Sequence, residues 1–97
     1  MIYEHAHITI DADKRTDFEE TFAWAKKYLL DANGGKTVEL VRSIDHPGHY
    51  LLRVGWDSVE DHTVVFASST NGKLLAAAIG DFFTETPYVV HFEETVV

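Results

Sequence analysis

The stretch DHPGHYLLRVGWDSVEDH, residues 45–62, contains a turn, a strand and the start of a helix. Pro47 fixes φ and Gly48 accepts a positive φ, which is typical of a tight turn between two strands. Residues 49–56 alternate between two faces, and this period of two indicates a strand. The two polar residues that follow can cap a helix running to residue 66. The stretch therefore predicts the second arm of a hairpin, followed directly by a helix.

Further strand and helix patterns flank this stretch. Residues 2–10 alternate and are rich in β-branched side chains, and Asn33-Gly34-Gly35 ends a segment whose apolar residues recur every three or four positions. The predicted elements are a strand over 2–10, a helix over 14–32, strands over 37–44 and 49–56, a helix from 57 or 58 to 66 that breaks near 68–72 and resumes over 73–83, and a strand over 88–97. This β-α-β-β-α-β order predicts the α+β class, a ferredoxin-like antiparallel sheet with helices on one face.

The sheet face away from the helices is also apolar in part. Leu51 lies opposite the face that carries Tyr50 and Leu52, and the last strand begins Tyr88-Val89-Val90. A half-solvated antiparallel sheet would be polar on that face. A partner that covers it is therefore expected, and a homodimer is the simplest arrangement.

Composition narrows the possible functions. A chain of 97 residues fits one domain, residues 1–97, and its net charge of −8 disfavours nucleic acids and anionic membranes as partners. The absence of cysteine excludes disulfides, thiol catalysis and cysteine-ligated metals. No signal peptide or membrane-spanning segment is visible, so a cytoplasmic location is expected.

Several short motifs resemble, in order, the antibiotic biosynthesis monooxygenase family. They are the opening strand with Glu4 and His7, Arg42-Ser43-Ile44 with Pro47-Gly48, the stretch from Trp56 to Thr63 followed by Phe66 and Ser68, and Pro87 with His91-Phe92-Glu93. The resemblance implies a dimeric α/β barrel of two sheets packed face to face, with a pocket between helices and sheet in each subunit. Some relatives oxygenate phenols or anthrones without metal or flavin, others oxidise quinols, and one branch degrades haem.

The haem-degrading branch carries an Asn, a Trp and a His at places that hold His7, Val65 or Phe66, and Leu75 here, so haem degradation is disfavoured. The resemblance therefore implies a cofactor-independent monooxygenase that oxidises an electron-rich aromatic, such as a hydroquinone, an anthrone or a polyketide-like phenol, with O₂. The alternative is a non-catalytic small-molecule-binding or accessory protein of the same fold, with haem handling as a third reading.

Two residues are candidates for catalysis. His62 is the candidate general base, because an imidazole with a pKa of about 6.5 accepts a phenolic proton at neutral pH. It could equally be a core histidine that bonds a backbone carbonyl. Trp56 is the candidate aromatic wall for a planar substrate, or else a core anchor. The candidate substrate-binding residues are Tyr50, Arg53, Phe66, Phe82 and His7, although a salt bridge would also explain Arg53.

Three histidines raise the possibility of a metal site. His5 and His7 point the same way from the first strand, and His91 would join them if the first and last strands pair. Imidazoles bind zinc and iron, but no carboxylate is spaced to complete such a set. Neither a metal nor another cofactor is therefore expected.

Overall fold

The computed structural model describes all 97 residues and forms one four-stranded antiparallel sheet with helices on one face. The elements are β1 (Ile2–Thr9), α1 (Arg15–Ala25), α2 (Lys27–Leu30), β2 (Gly35–Arg42), β3 (His49–Trp56), α3 (Thr70–Ile79) and β4 (Tyr88–Phe92). The strand order is β2-β3-β1-β4, so β3 and β1 are central. The predicted α+β ferredoxin-like fold is confirmed.

The core lies between the helices and one sheet face, called the inner face. The even-numbered residues of β1 and β3 are buried there, among them Ile8, Leu52 and Val54, while Phe18 and Phe22 of α1 pack against them. Burying one such side chain contributes about 1.5–3 kcal/mol. The period of two in these strands therefore predicted the inner face correctly.

Two predicted elements differ from the structure in their extent. The helix expected over 14–32 is interrupted at Lys26, whose carbonyl accepts from both Leu29 and Leu30. The strand expected over 88–97 stops at Phe92. Phe92 pairs with Tyr3, near the first residue of β1, so the residues beyond it have no partner strand.

The outer face of the sheet, turned away from the helices, carries exposed apolar side chains. Val41, Tyr88 and Phe92 are 50%, 66% and 52% exposed. The register places Tyr88 opposite His7 and Phe92 opposite Tyr3, all on this outer face. Such a patch is the kind of surface that another protein covers. None of the helices combines the length and the hydropathy needed to cross a bilayer.

Candidate functional site

A single carboxylate is buried on the inner face of the sheet. Glu4 of β1 is 5% exposed, among apolar neighbours. Its Oε1 accepts a hydrogen bond from Nε1 of Trp56 at 3.0 Å and lies 3.3 Å from Nε2 of His62. A buried charge is expensive unless it is hydrogen-bonded, and the bond from Trp56 provides part of that compensation at Oε1.

His62 connects Glu4 to a second histidine. Its Nδ1 lies 2.9 Å from Nε2 of His91, and its ring stacks on Trp56 at 5.4 Å with an interplanar angle of 19°. Phe66 packs on the same indole, with ring centroids 5.4 Å apart. Glu4, Trp56, His62 and His91 thus form one cluster, hereafter the Glu4 cluster.

The backbone around His62 departs from the α-helix that the sequence predicted. Residues Asp61–Phe66 are π-helical, and the N–H of Ala67 bonds the carbonyl of His62 at 3.2 Å. A π turn contains an extra residue and often occurs at functional sites. Within this segment Thr63 is exposed, whereas Phe66 is buried.

Burial shifts the pKa values within the cluster in opposite directions. Desolvation raises the pKa of Glu4 to about 6, and the hydrogen bond from Trp56 offsets part of that rise. Desolvation, and secondarily the neighbouring His91, lower the pKa of His62 to about 4. At neutral pH the cluster therefore contains a carboxylate and a neutral imidazole.

These protonation states favour one arrangement of hydrogen atoms in the cluster. The ionised Glu4 is only an acceptor, so a proton on Nε2 of His62 is more favourable than a lone pair 3.3 Å from Oε1. In that tautomer Nδ1 of His62 is an acceptor, and Nε2 of His91 donates to it. Every nitrogen and oxygen at these contacts then has a suitable partner.

Glu4 also borders an apolar cavity between α3 and the sheet. The cavity measures about 200 Å³, and Glu4 is its only polar side chain. Oε2 of Glu4 has no hydrogen-bond partner in the protein, and it is not fully enclosed. The lining residues are Glu4, Ala6, Ile8, Leu52, Gly72, Leu75, Ala76, Ile79, Phe83, Pro87 and Val89. His62 and Trp56 lie behind Glu4 and do not line the cavity.

Larger hollows occur on the outer face and beside Tyr50, at about 260 and 300 Å³. The hollow beside Tyr50 is bordered by groups that already bind one another: Glu19 accepts from both Tyr50 and Arg42. The hollow on the outer face lies on the patch that a partner would cover. The cavity beside Glu4 is therefore the better candidate for an apolar ligand.

The structure brings together only part of the predicted site. His62, Trp56 and Phe66 lie in contact. Tyr50 is on the inner face, but it is at the opposite end of β3 from Trp56 and donates to Glu19 at 2.5 Å. Phe82 packs edge-on against Phe18, which contacts Tyr50.

Arg53 and His7 lie on the outer face, because odd-numbered residues of β1 and β3 point away from the helices. Arg53 pairs with Glu39 at 3.0 Å, the salt bridge that was its alternative explanation, and its guanidinium lies 4.3 Å from the Tyr3 ring. Of the seven predicted site residues, the structure thus brings His62, Trp56 and Phe66 together and places the other four elsewhere: Tyr50, Phe82, Arg53 and His7.

The three histidines considered for a metal do not meet either. His5 and His7 are on the outer face, whereas His91 pairs with Glu4 and shares its inner face. In the Glu4 cluster the carboxylate and His91 contact opposite nitrogens of the His62 ring. These donors do not converge on a point, and no group of three or more His, Asp or Glu residues is arranged to hold a metal ion.

The sequence prediction missed Glu4 and His91 as site residues. For Glu4 a signal was present, since it is the one charged residue on a strand face otherwise occupied by Ile2, Ala6 and Ile8. His91 was noted only in a family motif and as a possible metal ligand, because its position beside Glu4 depends on the register between β1 and β4.

The chain is thus a ferredoxin-like α+β domain in which a buried acid–histidine cluster lies beside an apolar cavity. The family model for antibiotic biosynthesis monooxygenase matches residues 1–70, and the chain belongs to this family.

Individual relatives match over almost the whole chain. Uncharacterized protein YczJ of Bacillus subtilis (strain 168) is 31% identical over 94 residues, which cover 97% of this chain and 99% of that protein. A crystal structure of a Bordetella bronchiseptica protein that carries the family name has a TM-score of 0.93 and 34% identity, covering 98% of this chain and 97% of that one. A Streptomyces coelicolor monooxygenase from the gene ActVA-Orf6, solved in complex with nanaomycin D, has a TM-score of 0.80 at 13% identity, covering 99% and 89%. The last likeness is one of fold.

Proposed function

We propose that this protein is a cofactor-independent monooxygenase that oxidises a small hydroquinone-like aromatic held in the cavity beside Glu4. The observation that carries the proposal is Glu4, the only polar side chain that lines an apolar cavity, whose Oε2 has no hydrogen-bond partner in the protein. Membership of the monooxygenase family supports the reaction class. The ligand in the related Streptomyces coelicolor enzyme supports a small-molecule substrate.

The size of the cavity narrows the substrate class. An apolar cavity of about 150 Å³ accommodates a benzene ring, and pockets for drug-sized ligands begin at about 300 Å³. The cavity here, about 200 Å³, suits a single ring with small substituents. A three-ring anthrone would extend beyond this hollow, whose rim includes the exposed Ala76 and Val89, so we favour hydroquinones.

Glu4 is the group placed to begin the reaction. Its Oε2 would take the proton from a substrate hydroxyl, leaving both electrons of the O–H bond on the substrate oxygen. With a phenolic pKa of about 10 against about 6 for Glu4, this transfer costs about 5 kcal/mol. That is well below the barrier of about 16 kcal/mol that corresponds to a turnover of about 10 s⁻¹.

The resulting anion would reduce O₂. One oxygen atom enters the ring and the other leaves as water, and the hydroquinone, which becomes a hydroxyquinone, supplies all four electrons. No external reductant is needed. His62 and Trp56, the residues first predicted as catalytic, act in this scheme by holding Oε1, so that Oε2 remains directed to the substrate.

The proposal includes a homodimer of a single domain that spans residues 1–97. Its outer faces would pack against each other and cover Val41, Tyr88 and Phe92. Arg53 and His7 would then belong to this interface rather than to the substrate site.

Oxygen uptake with a panel of aromatics tests the function. Hydroquinone, naphthohydroquinone and anthrone are compared under oxygen-18 gas, and we expect the single-ring hydroquinone to react fastest and to gain one labelled atom. Ala76→Trp, which fills the cavity, should abolish uptake. Its control, Ala77→Trp, changes an exposed neighbour on α3 that does not line the cavity and should leave uptake unchanged. Binding without uptake, or uptake that survives Ala76→Trp, would refute the proposal.

A further inference from the structure

We infer that His91 is a positioning residue that fixes the tautomer of His62 and thereby keeps Oε2 of Glu4 available as the proton acceptor. Its kinetic consequence rests on the proposed function, while its structural consequence does not. The inference is carried by the unbroken contacts from His91 through His62 to Glu4, at 2.9 and 3.3 Å.

The sheet determines where His91 lies. It is the direct cross-strand partner of Glu4 in the antiparallel β1–β4 pair, and both side chains are on the inner face. His62 comes from the π-helical segment and contacts both of them. The His62 and His91 rings are 5.1 Å apart and tilted by 52°. His91 is therefore anchored independently of the segment that carries His62.

The bond to one ring nitrogen decides which tautomer a histidine adopts. In the inferred arrangement His91 donates to Nδ1, so the proton of His62 stays on Nε2, the nitrogen that lies 3.3 Å from Oε1 of Glu4. In the other tautomer a lone pair on Nε2 would face the lone pairs of Oε1. Glu4 would then have to take up a proton or rotate, and in either case the cavity loses its free carboxylate oxygen.

No other side chain performs this role. The other contacts of the His62 ring are the face of Trp56 and Glu4 itself. Nδ1 of His62 therefore has His91 as its one hydrogen-bond partner.

Two substitutions separate the hydrogen bond from the bulk of the ring. In His91→Gln the amide nitrogen reaches the place of Nε2 and still donates to His62, whereas His91→Leu fills similar space without a donor. His46→Leu is the control, since His46 is an exposed histidine in the turn between β2 and β3. A cooperative thermal unfolding transition in each of the three variants will establish that it is folded.

The first measurement needs no substrate. Long-range ¹H–¹⁵N spectra distinguish protonated from unprotonated ring nitrogens, and the wild type, His91→Gln and His46→Leu should all show His62 protonated at Nε2 and unprotonated at Nδ1. His91→Leu should shift His62 towards the other tautomer. An unchanged His62 tautomer in His91→Leu, or Nδ1 protonated in the wild type, would overturn the inference whether or not the protein oxidises aromatics.

The second measurement is turnover with hydroquinone. Loss of an outer partner that orients a functional histidine costs about tenfold to a hundredfold in activity at metal sites, and we expect a similar fall in kcat for His91→Leu with KM little changed. His91→Gln should restore most of the rate. Wild-type turnover in His91→Leu would contradict the positioning role alone, whereas absence of turnover in the wild type would contradict the proposed function alone.

Discussion

Replacing Glu4 by glutamine removes the buried charge and nearly preserves the shape of the side chain. The amide oxygen can still accept from Trp56 and lie beside His62, so the packing of the Glu4 cluster should survive. The substitution removes only the ionisation of the carboxyl group. Comparison of Glu4→Gln with the wild type at several pH values therefore isolates the contribution of one carboxyl group to folding.

The sign and the size of that contribution follow from the raised pKa of Glu4. Between its ordinary pKa of 4.5 and the folded value of about 6, the folded protein keeps a proton that the unfolded chain has released. The stabilisation is therefore complete below pH 4.5 and is lost as the pH rises through 6. The change from 4.5 to about 6 corresponds to about 2 kcal/mol.

Urea unfolding of both proteins between pH 4 and pH 8 measures this difference. Relative to the wild type, Glu4→Gln should gain about 2 kcal/mol in the free energy of unfolding as the pH rises from 4 to 7.5. In a domain of this size that equals about 8–16 °C in melting temperature. Parallel pH profiles for the two proteins would refute the buried, raised-pKa carboxyl on which the site is built.

Three further outcomes are expected. Trp56→Phe removes the indole N–H that lowers the pKa of Glu4, so a pH titration should show a still higher pKa for Glu4. Urea unfolding should show a loss of about 1–3 kcal/mol in the free energy of unfolding. An unaltered pKa of Glu4 would contradict the hydrogen bond from Trp56. In the wild type, the free energy of unfolding should fall by up to about 3 kcal/mol as the pH drops from 6.5 to 4, because only the unfolded chain protonates His62 in this range. His62→Leu should abolish this loss in urea unfolding. If the variant shows the same dependence of the unfolding free energy on pH, the burial of His62 is contradicted. Light scattering should give about twice the 11.0 kDa chain mass, with Tyr88→Glu reducing it to one chain, whereas a monomeric wild type would exclude the homodimer.

The local patterns of the sequence were sufficient to predict the fold. The alternation in residues 49–56 gave β3 with its correct bounds, and the order of the elements gave the topology. The ends of other elements were not predictable, because they depend on partners distant in sequence. The last strand continues only while β1 lies beside it, and nothing within residues 93–97 indicates that limit.

The site was predictable only where one segment contained it. Trp56 and His62 lie six residues apart, and both were recognised. The position of His91 depends on the β1–β4 register, which pairs an odd-numbered residue with the even-numbered Glu4. Without that register, His91 was expected beside His5 and His7, on the opposite face. The π-helical segment Asp61–Phe66 also changes which residues share a helix face, and the α-helical period used in the prediction does not describe it.

The dependence of kcat/KM for hydroquinone oxidation on pH, measured for the wild type and Glu4→Gln, tests the central claim most directly. If Oε2 of Glu4 is the proton acceptor, the wild-type value rises through an apparent pKa of about 6 as the carboxyl ionises. Glu4→Gln should lack that rise and be slower by about a hundredfold to ten-thousandfold, the usual contribution of a positioned base. A Glu4→Gln variant that keeps the wild-type rate and the same rise near pH 6 would contradict the account.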